Sequence, residues 1–127
     1  KMNTDNSIFG KMEFHTGWKT QSKIAFCEQT YPITIKCKSY RQEDGLTQEQ
    51  KEAMELYARD GQKQLSISQQ ILIRQYPDAQ HRFTPTMLLF QRDGEYTLLL
   101  DDAKNPDEGI CMVLYPKKKI VSQDEYL

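Results

Sequence analysis

The residues best suited to chemistry in this chain are carboxylates near its C-terminal end. Asp101, Asp102, Asp107 and Glu108 fall in one predicted loop. Such oxygen ligands suit Ca²⁺ or Mg²⁺, but the segment lacks the alternating acidic run and the closing glutamate of an EF-hand loop. We interpret these carboxylates as a solvated loop without a metal, and as candidate contacts for a basic protein partner.

A second acidic group lies at the end of the sequence. Asp124 and Glu125 are followed by Tyr126 and Leu127. The aromatic and aliphatic residues suggest two alternatives: either they dock on the body of the protein, or they form an exposed recognition motif. In both cases we expect the two acids to assist in binding a basic partner.

The cysteines and histidines give no sign of catalysis or metal binding. The chain has three cysteines, an odd number, at Cys27, Cys37 and Cys111. Each lies among apolar residues or residues typical of strands, so we expect buried, reduced thiols in strands. A catalytic thiolate needs a nearby His or a helix N-terminus, and neither is close in sequence. His15 and His81 lack the spacing of metal ligands, and we expect them at the surface.

Motifs for catalysis and cofactor binding are also missing. The sequence contains no GxSxG, GxxxxGK[ST] or GxGxxG. We therefore predict a chain that is not an enzyme and has no catalytic, cofactor-binding or metal-binding residue. The basic triplet 117–119 is too short to bind phosphate usefully alone, and we interpret it as an exposed turn.

Charge and hydropathy limit the partners further. With 17 basic and 18 acidic residues the formal net charge is -1, which gives no global attraction for nucleic acid. No apolar run approaches the roughly 18 residues of a spanning helix, and residues 1–10 are polar, unlike a signal peptide. We expect a cytoplasmic protein without a membrane or nucleic-acid partner.

Alternating apolar and polar residues predict three strands in the first third of the chain, at 8–14, 18–26 and 31–38. Turn residues at 16–17 and 29–30 would join them into an antiparallel meander. A long helix follows at 48–75, with Thr47 and Gln50 forming a capping box. Its apolar stripe is widened by Ile67, Ile71 and Ile73, and the segment 76–78 ends it.

In the last third of the chain, apolar runs predict strands at 87–90, 96–100 and 110–115, with a short extended segment at 120–121. These strands are apolar on both faces, so both faces need cover, and we expect Trp18, Leu89, Leu98 and Val113 in the core. One helix covers one face only, so the other face needs either the N-terminal sheet or a second subunit, and the second alternative would make the protein a homo-oligomer. The prediction is a single α+β domain, 1–127, with antiparallel β-sheets in β-β-β-α-β-β-β order and the helix packed on the sheet.

Several short sequence motifs are typical of one protein family. They read Phe-x-Arg-Asp-Gly-x-Tyr-x-Leu-Leu from Phe90, Asp-Glu-Gly from Asp107, and Ser-Gln-Asp-Glu-Tyr-Leu from Ser122. Across nearly its whole length the chain resembles a family of small bacterial cytosolic proteins of unknown function. Some similar small α+β proteins are encoded beside polymorphic toxins and act as immunity proteins. The resemblance implies a bacterial, non-enzymatic protein and supplies no catalytic residue.

Three functional hypotheses follow. The first is a protein-binding module of immunity-protein type, in which the two acidic groups contact a basic, toxin-like partner. The second is a small ligand-binding or hydrolytic domain with a cleft formed by residues distant in sequence. The third is a homo-oligomeric structural protein.

Overall fold

The computed structural model describes the backbone of residues 4–127 and the side chains of residues 7–127. The polar N-terminal segment considered for a signal peptide therefore lies partly outside the described residues. No helix in the described chain is long and apolar enough to cross a membrane. The elements are β1 Thr4–Ser7, β2 Gly10–Phe14, β3 Trp18–Phe26, β4 Gln29–Cys37, α1 Gln48–Gln75, α2 Ala79–Arg82, β5 Phe83–Phe90, β6 Tyr96–Asp102, β7 Ile110–Tyr115, β8 Lys119–Ser122 and α3 Gln123–Tyr126.

The strands form one eight-stranded sheet in which the spatial order follows the chain, from β1 to β8. All neighbours are antiparallel except β4 and β5, which run parallel with Thr34 opposite Met87 and Cys37 opposite Phe90. The α+β class and the single long helix are confirmed, but the expectation of purely antiparallel sheets is wrong. The reason is that α1 runs back along the sheet between β4 and β5, which is the crossover that parallel neighbours require. The predicted β-β-β-α-β-β-β order is also wrong, because four strands precede the long helix and four follow it.

The N-terminal strands begin with a hairpin that the sequence pattern did not predict. The predicted strand 8–14 is only its second arm, because β1 pairs with β2 through a short turn at Ile8 and Phe9. Gly10 follows that turn with φ +97°, a conformation that favours glycine. The β3–β4 turn lies at Cys27 and Glu28, two residues before the predicted one, and both have positive φ. Cys27 is therefore in a turn, and not in a strand as expected.

The helix begins and ends where its sequence signals predict. Thr47 Oγ1 accepts from Gln50 N at 3.0 Å, and Thr47 N donates to Gln50 Oε1 at 2.9 Å, so the predicted capping box is formed. Gln50 Nε2 also donates to the Lys38 and Phe90 carbonyl oxygens. The cap thus ties the start of α1 to the ends of β4 and β5.

The buried side of α1 packs on one face of the sheet. Tyr57 meets the rings of Phe90 and Tyr96 edge to face, with centroids 6.3 and 5.8 Å away. The predicted widening of this stripe is wrong for Ile67 and Ile71, which are 46% and 42% exposed. Ile67 lies two residues beyond a buried position, roughly 200° round the helix, and so faces outward.

Further core predictions are confirmed. Leu98 is fully buried on the helix side of β6, and Trp18, Leu89 and Val113 are 2%, 4% and 1% exposed. The strands β5 to β7 are covered on both faces, as their composition predicts.

The chain itself supplies cover for the second face of these strands. Tyr126 of α3 packs against Leu89, Leu99 and Cys111 on the face opposite α1. Its hydroxyl donates to Glu95 Oε2 at 2.5 Å. The docking alternative for the tail is therefore confirmed for Tyr126, whereas Leu127 is 67% exposed. Because Tyr126 covers part of this face, the reason for expecting a homo-oligomer is removed.

Candidate functional site

The acidic loop is held at one end of the sheet by β6 and β7. Leu100 of β6 is opposite Ile110 of β7. Asp101 therefore lies one residue past this pair on β6, and Glu108 lies two residues before it on the connecting loop. Successive strand residues point to opposite faces, so Asp101 and Asp102 project to different sides of the sheet.

Asp102 is part of the interior and is not available at the surface. Its side chain is 6% exposed and accepts from Arg82 Nε at 2.8 Å and Arg82 Nη2 at 3.0 Å. Lys104 N donates to the same carboxylate at 3.0 Å. Hydrogen bonding by Arg82, above all, lowers the pKa of Asp102. Asp102 is thus a correction to the predicted partner-binding set, because its charge is already used within the fold.

This ion pair fixes the start of the acidic loop. The Arg82 guanidinium lies 4.8 Å from the centre of the Tyr76 ring and 5.0 Å from that of Phe83, which limits its movement. Ala103 N also donates to the Arg82 carbonyl oxygen at 2.9 Å. The loop after β6 is therefore anchored to the segment that follows α1.

The C-terminal turn is anchored beside the same loop by Gln123. Its Nε2 donates to the carbonyl oxygens of Leu100 and Ile110, at 3.1 and 3.3 Å, and its backbone N donates to the Gly109 oxygen at 3.0 Å. A Cβ on Gly109 would collide with the Leu100 oxygen and the Gln123 amide. Only glycine therefore permits this close approach of loop, strand and tail.

Anchoring by Gln123 brings the two predicted acidic groups together. Asp124, within hydrogen-bonding reach, raises the pKa of Glu108, and the nearby charge of Glu125 acts in the same direction. Ser122 caps the short turn, its Oγ accepting from Glu125 N at 3.2 Å. Glu108, Asp124 and Glu125 therefore form one cluster, which we name the acidic end. Asp101 and Asp107 are exposed on the same loop, and no contact joins them to this cluster.

The acidic end has no neutralising cation within the described chain. The ion pairs there involve other acids, such as Asp78 with Lys104 and Asp102 with Arg82. A cleft of about 280 Å³ lies beside Glu108 and Glu125, and its one arginine, Arg82, is the partner of Asp102. The hydrogen-bond partners of Glu108 and Glu125 here include the neutral side chains of Asn105 and Ser122, at 3.5 and 3.4 Å. Cationic groups of a second molecule can therefore approach these carboxylates without displacing an internal cation.

The remaining candidates have structural explanations. Cys27, Cys37 and Cys111 are free and buried, as predicted. Burial raises the pKa of Cys37 to about 12 and that of Cys111 to about 11, so neither thiol ionises readily near neutral pH.

The two histidines, His15 and His81, are exposed, as expected. Lys117 and Lys119 are exposed and flank the half-buried Lys118 at the β7–β8 turn. Within the described residues, no group of three or more His, Cys, Asp or Glu side chains could hold a metal ion.

Comparison of the chain with protein-family models, with curated proteins and with solved structures finds no match.

A group of lysines that the sequence pattern did not predict lies on the sheet face opposite α1. Lys19 of β3 is directly opposite Lys36 of β4, and Lys38 follows on the same side of the chain. The alternation along 33–38 carried this signal, since Ile33, Ile35 and Cys37 point toward the helix. The pattern alone identifies such lysines only as the polar face of a strand, because cross-strand neighbours depend on register.

Proposed function

We propose that this protein is a non-catalytic protein-binding domain of immunity-protein type, acting in the bacterial cytoplasm. In this proposal the acidic end contacts a basic, toxin-like protein. The observation that carries it is the convergence of Glu108 with Asp124 and Glu125, from two segments far apart in sequence, without an internal cation. The predicted set is kept except for Asp102, which supports the loop through Arg82.

Electrostatics favours such a partner. Asp124 raises the pKa of Glu108, which means that the folded protein holds these carboxylates against their mutual repulsion. Lysine or arginine side chains of a partner would relieve that repulsion. Charges at the rim of an interface mainly speed association and select the partner, and they contribute less to the lifetime of the complex.

The anchoring of this cluster also suits recognition. Gln123 and Gly109 fix the turn that carries Asp124 and Glu125 against the adjoining ends of β6 and β7. A pre-organised surface loses less conformational entropy on binding than a flexible acidic tail does. The proposal therefore predicts that binding depends on the position of these carboxylates as well as on their number.

The test compares two variants of equal charge change. In E108Q/D124N/E125Q the acidic end loses three carboxylates, whereas the control E28Q/E43Q/E52Q removes three exposed carboxylates elsewhere. A partner is first captured from a lysate of the native host with the wild-type chain, then purified and measured in binary form. We expect the first variant to associate more slowly at low salt, by about tenfold, and the control to match wild type.

Two controls make the result decisive. Melting temperatures of both variants should stay near that of wild type, because exposed charges contribute little to folding. If the two variants associate at equal rates, the acidic end is not the binding surface and the proposal is wrong.

A further inference from the structure

The sheet face opposite α1 carries positive charge along β3 and β4. Lys19 and Lys36 are direct cross-strand neighbours, and Lys38 lies two residues further along the chain. By strand alternation Lys11 and Lys23 belong to the same face. We name Lys19, Lys36 and Lys38 the lysine face.

The lysines of this face repel one another. Like charges directly opposite each other destabilise a strand pair. Partial burial, followed by the charges of Lys19 and Lys38, lowers the pKa of Lys36. Glu13 is opposite Lys19 across β2 and β3, but its Oε1 contacts His15 Nε2, at 3.4 Å. Within the described residues, no carboxylate lies within 4 Å of the lysine-face ammonium groups.

The central lysine is also held in place. A Cβ on Gly17 would lie 2.7 Å from Lys36 Cε, so the lysine stem crosses directly over this glycine. Gly17 has φ +127°, which again favours glycine. A charged group whose stem is held by backbone loses less entropy when it binds a ligand.

We propose that the lysine face binds an extended acidic segment of a partner protein, with acidic residues at alternate positions. Lys36 and Lys38 are two strand residues apart, which places their stems about 6.6 Å from each other. An extended peptide repeats on one side at the same interval, so alternate carboxylates match successive lysines. Lys19, about 4.8 Å away on the next strand, adds charge beside the central contact.

The surroundings of this face favour an acidic peptide over nucleic acid. Next to Lys19 and Lys36, on the side away from Lys38, lie Gln21 and Thr34, hydrogen-bonded to each other at 3.3 Å. Neither offers a ring on which a base could stack. The exposed ring of Tyr40 lies beyond the end of β4, in a cleft that also contains Asp93 and Glu95. These acids on one side, and Glu13 on the other, would repel a long nucleic-acid strand more than a short peptide.

The experiment measures fluorescence anisotropy with defined probes and the full chain. The first probe is a labelled heptapeptide that alternates Glu and Thr, beginning and ending with Glu. The second has the same composition with its four Glu residues adjacent, and the third is a labelled ten-nucleotide oligo-thymidine. We expect the alternating peptide to bind more tightly than both other probes, with an affinity that falls as salt rises.

Variants locate the binding to this face. K19Q/K36Q/K38Q should weaken binding of the alternating peptide by about tenfold or more, since three ion pairs are lost. The control K63Q/K117Q/K118Q has the same charge change at lysines outside the face and should stay within about twofold of wild type. Three results would each overturn the proposal: both variants weaken binding equally, the two peptides bind equally well, or the oligonucleotide binds more tightly than the alternating peptide. Because the acidic end is unchanged in these proteins, the result is independent of the function proposed above.

Discussion

Replacing Asp102 by Asn tests whether this carboxylate supports the fold. The side chain is 6% exposed and accepts two hydrogen bonds from Arg82 and one from Lys104 N. Asn keeps the shape and one acceptor oxygen, but it removes the charge and presents an amide donor to the guanidinium. We expect the free energy of unfolding to fall by about 2–3 kcal/mol.

The magnitude follows from the contacts. Hydrogen bonds to charged groups contribute about 1.5–3 kcal/mol each, and breaking a fully buried ion pair costs about 3–5 kcal/mol. The Arg82 side chain is 21% exposed, so water can partly solvate it after the substitution. This exposure places the expected loss below the fully buried range.

Urea unfolding provides the assay, and Asp101→Asn is the matched control on the neighbouring, exposed residue. The control should change stability by less than about 0.5 kcal/mol. Because Arg82 lowers the pKa of Asp102 in the folded protein, the ionised carboxylate stabilises the fold above its unfolded pKa of about 4. That stabilisation is lost as pH falls through the lowered folded value, so the difference between wild type and Asp102→Asn should shrink in acid. A loss at neutral pH no larger than that of the control would refute the reasoning.

Three further predictions concern the core, the thiols and the lysine face. Leu98→Ala should cost about 2–5 kcal/mol in urea unfolding, because the side chain is fully buried; Ile67→Ala, at an exposed site, should cost far less. Native titration with a thiol reagent should label the cysteines slowly, since burial raises the pKa of Cys37 to about 12; rapid labelling of one thiol would contradict this. Lys36→Gln should leave stability unchanged or raise it by a few tenths of a kcal/mol in thermal unfolding, because it removes the repulsion with Lys19; a clear loss would show that the charge is compensated.

Local signals predicted the helix well. Thr47 and Gln50 form the capping box that the sequence indicated, and the helix ends at Gln75, before Tyr76 and Pro77. Such signals succeed because each involves atoms within one turn of the chain. Along the rest of the helix the apolar stripe was a weaker guide: Leu65 and Leu72 are buried as predicted, whereas Ile67 and Ile71 are 46% and 42% exposed.

Strand pairing was harder to predict because it joins distant residues. The first 38 residues suggested an antiparallel meander, and β2 to β4 form one. The parallel pairing of Thr34 with Met87 spans the whole helix and leaves no local mark. A strand, a long helix and a buried strand in succession are nevertheless typical of a parallel crossover, and this pattern contained the missing information.

The candidate site was predicted in composition but not in arrangement. The six acids were identified, yet their separation into one ion-paired residue and five surface residues depends on Arg82, which is 20 residues from Asp102. Strand alternation at Asp101 and Asp102 could have shown that the two point to opposite faces. The meeting of Glu108 with Asp124 depends on how the tail folds over β7 and β8, and no local pattern specifies that contact.

The most direct measurement of the central claim is the association rate of the captured basic partner at several salt concentrations. The account predicts that E108Q/D124N/E125Q associates about tenfold more slowly at low salt, with a weaker salt dependence, while E28Q/E43Q/E52Q behaves as wild type. Association rates and salt dependences that are the same for all three proteins would contradict it.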